Sequence, residues 1–177
     1  LPSGRLAPRK GPADAAMAPL APLIRPAVAA DIDEMRALER RAAKKFGDVG
    51  YDFCVTAEVR DVEQHLRVMS VGATFVAAMG EAVAGFAMAE PLDGEAHLFE
   101  IDVDPAFQSR GLGRRLIKAV EEWARTQGFA ALTLTTYREV PWNAPYYARL
   151  GFGVIEPGPE RTGLRATIKK EADCGFA

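Results

Sequence analysis

The stretch Gln108-Ser-Arg-Gly111-Leu-Gly113-Arg-Arg115 lies between an apolar run and an amphipathic run, and it decides the predicted fold. Before it, residues 96–104 supply alternating apolar side chains and stop at Pro105, which predicts a strand. After it, residues 112–126 repeat apolar side chains four apart, which predicts a helix that Gly128 ends in a left-handed conformation. The two glycines therefore lie where the carboxyl end of a strand leads into the amino end of a helix.

This turn has a chemical consequence. The first turn of a helix leaves backbone N–H groups without partners, and the helix dipole adds partial positive charge there. Because Gly111 and Gly113 carry no Cβ, the N–H groups of residues 110–114 can converge on a phosphate. Arg110, Arg114 and Arg115 add positive charge within reach of phosphate oxygens. We therefore predict a pyrophosphate-binding loop.

Two other glycine-loop signatures do not fit. A Walker-type loop ends in Gly-Lys-Ser/Thr, whereas Gly113 is followed by two arginines. A dinucleotide fingerprint requires glycine or alanine at position 116, which is Leu116, and an acid at the end of the next strand, where the sequence reads Thr-Thr-Tyr137. A glycine turn used only for packing remains the alternative.

The pattern Gln-x-x-Gly-x-Gly after Val-Asp-Pro105 resembles the acetyl-coenzyme A signature of the GNAT superfamily of N-acetyltransferases. A second block, Asn143-Ala-Pro-Tyr-Tyr147-Ala-Arg-Leu-Gly151-Phe152, is similar to the Tyr-x-x-x-Gly-Phe segment of that family. The resemblance covers about residues 23–170. It implies an α/β fold, GNAT-like, with a mixed, mainly antiparallel central sheet and helices on both faces.

The other elements follow from local patterns. Asp31-Ile-Asp-Glu34 has capping-box spacing before a first helix that Gly47–Asp52 breaks, and Asp61 precedes a second helix over residues 62–69. Asn143 is a plausible cap for a short helix that ends at Gly151. Hairpin turns are predicted at Met79-Gly80-Glu81 and at Asp93-Gly94. The remaining predicted strands are 23–26, 73–78, 82–90, 130–137, 152–155 and 164–169.

The bulk numbers indicate one globular domain. The 177 residues are 49% hydrophobic with a formal charge of −2, which gives no electrostatic footprint for nucleic acid. No apolar run is long enough for a membrane span, and two cysteines and two histidines give neither a disulfide framework nor a metal-ligand spacing. We predict a cytoplasmic protein without a metal, with a Pro/Ala-rich arm at 1–22 and a single acetyltransferase domain at 23–177. A homodimer is left open.

The resemblance implies that acetyl-CoA is the co-substrate and that its acetyl group passes directly to a primary amine, of a small molecule in preference to a protein. It implies main-chain contacts from the strand before the loop, contacts from the loop itself and contacts from the second block. The predicted coenzyme-binding set is Ile101, Asp102, Val103, Gln108, Ser109, Arg110, Gly111, Leu112, Gly113, Arg114, Asn143 and Tyr147. The alternatives are a non-catalytic acyl-CoA-binding module and a phosphate-binding protein of another fold.

Two residues are predicted to be catalytic. Tyr147 matches the family tyrosine that protonates the leaving thiolate, and Tyr146 is expected to pack or to contact substrate. Glu100 is the predicted base for the amine, because burial in an apolar strand would raise the pKa of its carboxyl group. His97 is the second candidate, and a water chain is the third. Many relatives carry asparagine seven residues before the tyrosine, where this chain has Val140, so helix capping explains Asn143 equally well.

The substrate is expected to lie against the segment between the first two helices and against the turn before the last predicted strand. Glu39, Asp48, Tyr51 and Asp52 make this region acidic and aromatic, which suits a cationic amine, although a solvated acidic loop would look the same. Strict alternation puts Glu100 and Asp102 on one face of their strand, with Phe99, Ile101 and Val103 on the other. A bulge in this strand would change that assignment.

Overall fold

The computed structural model describes residues 21–140 and 142–173, which form a five-stranded sheet with helices on both faces. The strands lie in the order β1-β2-β3-β4-β5; the first four are antiparallel neighbours, and β4 and β5 are parallel. This confirms the mixed, mainly antiparallel sheet. Residues 1–20 of the predicted arm lie outside the described residues. The strands are β1 (Leu23–Pro26), β2 (Ala73–Met79), β3 (Ala82–Leu92), β4 (Glu95–Val103) and β5 (Leu132–Leu134).

Each face of the sheet is covered by helices with an apolar stripe. On one face, α4 (Leu112–Thr126) buries Leu116, Ile117 and Val120 against β3 and β4. The other face is covered by α1 (Ile32–Gly47) and by α3 (Val62–Val71), whose buried side chains pack against Phe86 and Met88 of β3. Because a buried leucine is worth about 2–5 kcal/mol against alanine, these two clusters hold the layers together.

Several local signals predict what the structure shows. Asp61 accepts a hydrogen bond from the Gln64 N–H, and the Gln64 side chain accepts one from the Asp61 N–H, which is the reciprocal cap expected before α3. The two hairpin turns have backbone in the left-handed region at Gly80, Asp93 and Gly94. Helix α1 ends at Gly47 as predicted, and a short helix that was not predicted, α2 (Asp52–Thr56), follows it.

The capping box predicted at Asp31 and Glu34 is wrong. The Asp31 carboxylate forms two hydrogen bonds with the Arg25 guanidinium, at 2.7 and 2.8 Å, and accepts a third from the Val28 N–H at 2.8 Å. These bonds use the carboxylate before the first turn of α1, and they lower the pKa of Asp31, with the Arg25 hydrogen bonds as the largest cause. Asp31 therefore links β1 to the segment that leads into α1.

The two strands predicted at 152–155 and 164–169 are also wrong. After α5 (Ala144–Arg149), residues 152–155 form no strand, and Thr162–Asp173 form a helix, α6. The Asp93 carboxylate accepts hydrogen bonds from the Gly163 and Leu164 N–H groups at 2.9 and 2.8 Å, which caps α6 from the turn between β3 and β4. This contact joins residues 70 apart in the chain, so the local sequence does not show it.

The strand predicted at 130–137 is shorter than expected. Only Leu132–Leu134 pair with β4, and the pairing stops at Leu98 and Leu134. Beyond that point Thr135 donates a hydrogen bond to Glu171 of α6 instead of continuing the ladder. The parallel strands therefore separate, and β4 beyond Leu98 has no β5 partner. Within the described residues, no helix is both long and apolar enough to cross a membrane.

Candidate active site

A bulge in β4 decides which side chains of this strand face the site. Met88 lies opposite Glu100 and Ala89 lies opposite Leu98, so Phe99 is one extra residue on β4. Phe99 packs against the buried side chains between the sheet and helices α1 and α3, which we call the α1 cluster. Ile101 and Val103 pack against the buried side chains between the sheet and α4, which we call the α4 cluster. The predicted grouping of Phe99 with Ile101 and Val103 is therefore wrong, while Glu100 and Asp102 do share one face, beneath α1.

The separation of β4 and β5 opens a cleft of about 1450 Å³. Its walls are β4, β5, the C-terminal half of α1, the turn into α5, and α6. The cleft brings together six of the predicted site residues: Glu39, Glu100, Ile101, Asp102, Asn143 and Tyr147.

Carboxylates crowd one wall of the cleft. Burial raises the pKa of Asp102 well above its ordinary value, and the charges of Glu100 and Glu39 raise it further. The pKa of Glu39 is raised to about 7, first by burial and then by the charge of Glu100. Glu171 of α6 has a raised pKa for the same two reasons, against the lowering effect of its Thr135 hydrogen bond. The cluster therefore holds protons at pH values where isolated carboxyl groups have lost theirs.

Two cations lie within this acidic wall. Arg60 forms an ion pair with Glu100, with 2.5 Å between Nη1 and Oε2, and its guanidinium lies 4.7 Å from the centre of the Phe99 ring. Lys45 lies over the rings of Phe46 and Trp142, at 5.5 and 5.6 Å from their centres. Burial lowers the pKa of Lys45, against a smaller raising effect of the Asp102 charge.

Tyr147 lines the cleft from α5 and packs against the α4 cluster. Its ring contacts those of Tyr146 and Phe152, at 5.4 and 5.9 Å between centroids. Burial raises the pKa of the Tyr147 phenol strongly, and nearby charges that include Glu100 and Asp102 add to the shift. The phenol therefore keeps its proton at neutral pH and can act as a hydrogen-bond donor in the cleft.

His97 lies where β4 and β5 are still paired. It is 3% exposed, its Nδ1 lies 3.0 Å from the Thr133 hydroxyl, and its buried Nε2 has no hydrogen-bond partner among the described residues. Burial lowers the pKa of His97, so the ring is neutral at pH 7.

The glycine loop lies outside the main cleft, at the carboxyl end of β4. Gly111 has φ +75° and no side chain caps α4, so the first-turn N–H groups are left for a ligand. Ser109, Arg110 and Arg114 are exposed beside it. Arg115 is occupied differently, since it donates a hydrogen bond to the Pro22 carbonyl at 2.7 Å. An exposed, uncapped, cationic helix start fits a pyrophosphate.

Three sets of contacts fix the position of this loop. The Asp104 carboxylate accepts hydrogen bonds from Arg41 of α1 at 2.7 Å and from the Ala106 N–H at 2.9 Å, which holds the chain as it leaves β4. A Cβ at Gly113 would lie 2.8 Å from the Tyr146 hydroxyl oxygen, so α5 touches the loop at this glycine. Gln108 reaches back to the Val103 carbonyl, with Nε2 as donor at 3.3 Å.

Only one of the predicted substrate residues lies in the cleft. Glu39 lines the cleft, whereas Tyr51 lies behind Tyr137, with 4.6 Å between the ring centroids. Asp48 and Asp52 are exposed and do not line the cleft.

Several cleft residues could not be found from sequence patterns. Arg60 precedes a helix cap and carries no motif, Tyr137 ends what looked like an ordinary strand, and Glu171 lies in a segment whose helical character was missed. One signal was present for α6: Leu164, Thr167, Ile168 and Glu171 follow helical spacing, and all four line the cleft. Among the described residues, no group of three or more His, Cys, Asp or Glu side chains could hold a metal ion.

The family model described as acetyltransferase (GNAT) family matches residues 35–152, more than half of the sequence, and the chain belongs to this family. Over 70 residues it is 39% identical to the ribosomal protein bS18-alanine N-acetyltransferase of Salmonella typhimurium, covering 40% of this chain and 47% of the relative. The chain therefore matches about half the length of that curated relative.

Solved structures share the fold. The PaiA N-acetyltransferase of Thermoplasma acidophilum in complex with coenzyme A has a TM-score of 0.67 at 16% identity, over 79% of this chain and 94% of that one. An aminoglycoside acetyltransferase from an uncultured soil metagenomic sample, in complex with sisomicin, has a TM-score of 0.58 at 19% identity, over 77% and 91% of the two chains.

Proposed function

We propose that this chain is an acetyl-CoA-dependent N-acetyltransferase that transfers the acetyl group directly to the primary amine of a small molecule. The observation that carries the proposal is the separation of β4 and β5 after Leu98 and Leu134. It leaves main-chain groups of β4 unpaired in a cleft that carboxylates and Tyr147 also line, and β4 leads directly into the uncapped start of α4.

The coenzyme would be held at two places. N–H groups of residues 110–114 would bind the pyrophosphate, with Arg110 and Arg114 neutralising its charge. Main-chain groups within Ile101, Asp102 and Val103 that point away from β3 would bind the acyl-pantetheine arm and polarise the carbonyl. Asn143 lines the same cleft and is assigned to the coenzyme set.

The transfer requires a neutral amine and a stabilised leaving thiolate. An alkyl amine is almost wholly protonated at pH 7, so a base in the cleft must remove a proton. Glu100 is the base that the sequence predicts. Tyr147, whose raised pKa keeps the phenol protonated, donates a hydrogen bond to the thiolate. Because the phenol is a weak acid, stabilisation of the thiolate matters more here than complete proton transfer.

The acceptor is a cationic amine. Glu39, Asp102 and Glu171 repel Glu100 and have raised pKa values, so an ammonium group among them would relieve that repulsion. The relatives act on amines of both kinds, since one is named for a ribosomal protein alanine and another for aminoglycosides. We favour a small acceptor because α6 forms one wall of the cleft and restricts a polypeptide.

We also propose a cytoplasmic location, with neither nucleic acid nor membrane as a partner. The formal charge of −2 argues against a nucleic-acid surface. Cys54 is a free thiol whose sulfur lies 2.9 Å from the Tyr137 hydroxyl, which suits a reducing compartment. The assembly is proposed as a monomer or homodimer, to be decided by light scattering.

The test is calorimetric titration with acetyl-CoA and, separately, with NAD and ATP, followed by free-thiol detection with spermidine, L-lysine, kanamycin and a peptide with N-terminal alanine. We expect binding of acetyl-CoA alone and thiol release with a small amine. Binding without thiol release for any amine would favour a non-catalytic acyl-CoA-binding module. No binding of acetyl-CoA would contradict both.

A further inference from the structure

The carboxylate of Glu100 is already engaged in the cleft. Arg60 donates to its Oε2 at 2.5 Å, and the Arg60 guanidinium is fixed in turn against the Phe99 ring. The side chains of this pair are 31% and 24% exposed for Arg60 and Glu100, so water screens the interaction only partly. A base must present a lone pair to the incoming amine, and this ion pair directs Oε2 of Glu100 towards Arg60 instead.

The carboxylate of Glu39 is in the opposite situation. Glu39 projects from α1 into the same cleft, and its Oε2 is buried without a hydrogen-bond partner among the described residues. A buried carboxylate oxygen without a donor costs stability, and such atoms are rare in folded proteins. An ammonium group in the cleft would supply the missing donor.

We propose that Glu39 is the base that takes the proton from the acceptor amine, and that Arg60 is a positioning residue that holds Glu100 away from this role. The inference rests on the proposed function and names a residue of that same site. The N–H bond of the ammonium breaks and its proton moves to Oε2 of Glu39. The nitrogen lone pair then attacks the thioester carbonyl carbon, and the C–S bond breaks with its electrons on sulfur. The second proton that the nitrogen loses ends on this sulfur, with the Tyr147 phenol as its immediate donor and the phenol reprotonated from the amide nitrogen, so the products are the amide and the free thiol. Glu39 later releases the proton to water.

The electrostatics around Glu39 support this role. A base works best with a pKa near the working pH, and the pKa of Glu39 is about 7. Burial and Glu100 raise it, and three arginines lower it. The charged groups that act on Glu39 or are acted on by it are Glu100 and Asp102 of β4, Arg60 before α3, and Arg36 and Arg40 of α1.

The other buried groups in the cleft fit the role less well. Burial and the charges of Glu100 and Glu39 raise the pKa of Asp102, but neither Asp102 oxygen is among the buried atoms that lack a hydrogen-bond partner in the described residues. His97 also lines the cleft and has an unpartnered nitrogen, but it lies at the paired end of β4 and β5, and burial lowers its pKa, which makes it a weaker base than Glu39.

The first test compares two acceptors of similar shape, n-butylamine and O-propylhydroxylamine. The first is protonated at pH 7 and needs a base, whereas the second is already neutral. Glu39→Gln should lower thiol release with n-butylamine by about 100-fold or more and with O-propylhydroxylamine by only about threefold. Asp33→Asn, an exposed acid on the same helix, should change neither rate. An equal loss with both acceptors would overturn the assignment, since it would indicate structural damage.

The second test separates Glu39 from Glu100 through the pH profile. In Glu100→Gln the negative charge that raises the pKa of Glu39 is gone, so the acidic limb of the rate should move to lower pH while transfer continues. Abolished transfer in Glu100→Gln with an unchanged limb in Glu39→Gln would overturn the proposal and make Glu100 the base.

A third readout needs no acetyl transfer. In protein labelled with ¹³C at the glutamate side-chain carboxyls, a resonance titrating near pH 7 should be present and should be missing in Glu39→Gln. Arg60→Met should move that resonance to higher pH, because Arg60 lowers the pKa of Glu39. No such resonance would overturn the base assignment alone. Absence of thiol release by the wild-type protein with every amine would overturn the proposed function together with it.

Discussion

Tyr146 and Tyr147 are adjacent on α5, but their hydroxyl groups belong to different parts of the site. The Tyr146 hydroxyl lies against Gly113 in the glycine loop, and the Arg149 guanidinium lies 5.9 Å from the centre of its ring. Tyr147 lies in the cleft among the carboxylates. The two phenols should therefore affect different kinetic quantities.

Tyr147→Phe should lower turnover by about 100-fold with little change in coenzyme affinity, because the phenol is proposed to stabilise the leaving thiolate. Tyr146→Phe should do the reverse, weakening acetyl-CoA binding with turnover nearly kept. Steady-state thiol release and calorimetric titration of both variants measure this difference. Normal turnover in Tyr147→Phe would show that the residue only packs.

Residue identities could be predicted where a motif carries them. Gly111, Gly113 and Tyr147 belong to short patterns with a known spacing, and the sequence placed them correctly relative to the strand and helix. The Arg60–Glu100 pair could not be predicted, because the partners are 40 residues apart and Arg60 matches no pattern. The bulge at Phe99 could not be predicted either, because a bulge is defined by the pairing with the partner strand.

At the scale of elements, the start of α4 is the proposed binding site for the pyrophosphate of the coenzyme. Gly113→Glu should weaken acetyl-CoA binding by about 100-fold or more, because the side chain fills the loop and adds negative charge where the phosphate would lie. Gln127→Glu adds the same charge at the other end of this helix and should leave the affinity unchanged. Calorimetric titration measures both. Equal affinity for Gly113→Glu and wild type would remove the loop from the coenzyme site.

Helix α6 depends on a residue outside itself. Asp93→Ala should release its first turn, which hydrogen exchange at the Gly163 and Leu164 amides would report as faster exchange. The pKa of Asp93 is lowered, mainly by these two hydrogen bonds, so the cap is present above the ordinary aspartate range and is lost as pH falls below it. Asp33→Asn is the control. Unchanged exchange in Asp93→Ala would contradict the capping role.

Elements with their own start and stop signals were predictable, and α6 was not. α3 has a reciprocal cap within four residues, and α4 has a glycine at each end. In α6 the β-branched Thr167 and Ile168 favour a strand locally, while the capping group comes from another part of the chain. Tertiary contacts therefore determine that residues 162–173 form a helix and not a strand.

At the scale of the whole molecule, the acidic cleft makes stability depend on pH. The folded pKa of Glu39 is about 7, above the ordinary value, so the folded state binds more protons there than the unfolded chain and loses stability as pH rises through 7. His65 and His97 act in the opposite direction. Burial lowers the pKa of both, so their contribution is present above about pH 6.5 and declines as pH falls.

Glu39→Gln should accordingly raise the melting temperature by a few degrees at pH 8 and by much less at pH 5.5, because glutamine cannot ionise in the cleft. Differential scanning calorimetry across this range measures the effect, with Asp33→Asn as a control that should show no such trend. A gain that is equal at both pH values would mean that repulsion among the cleft acids is not its cause. The variant would thus be more stable and less active.

The bulge at Phe99 shifts the alternation of side chains along β4 by one residue. If β4 kept all its residues but paired with β3 without a bulge, the two faces of the strand would be exchanged beyond Leu98. Glu100 and Asp102 would then point into the apolar layer under α4, and Ile101 and Val103 would face α1. One inserted residue thus separates a chemical face from a packing face. Removal of Phe99 would therefore leave Glu100 and Asp102 facing α1 in a regular strand, whereas removal of Ile101 would turn Asp102 away from α1 and Val103 towards it.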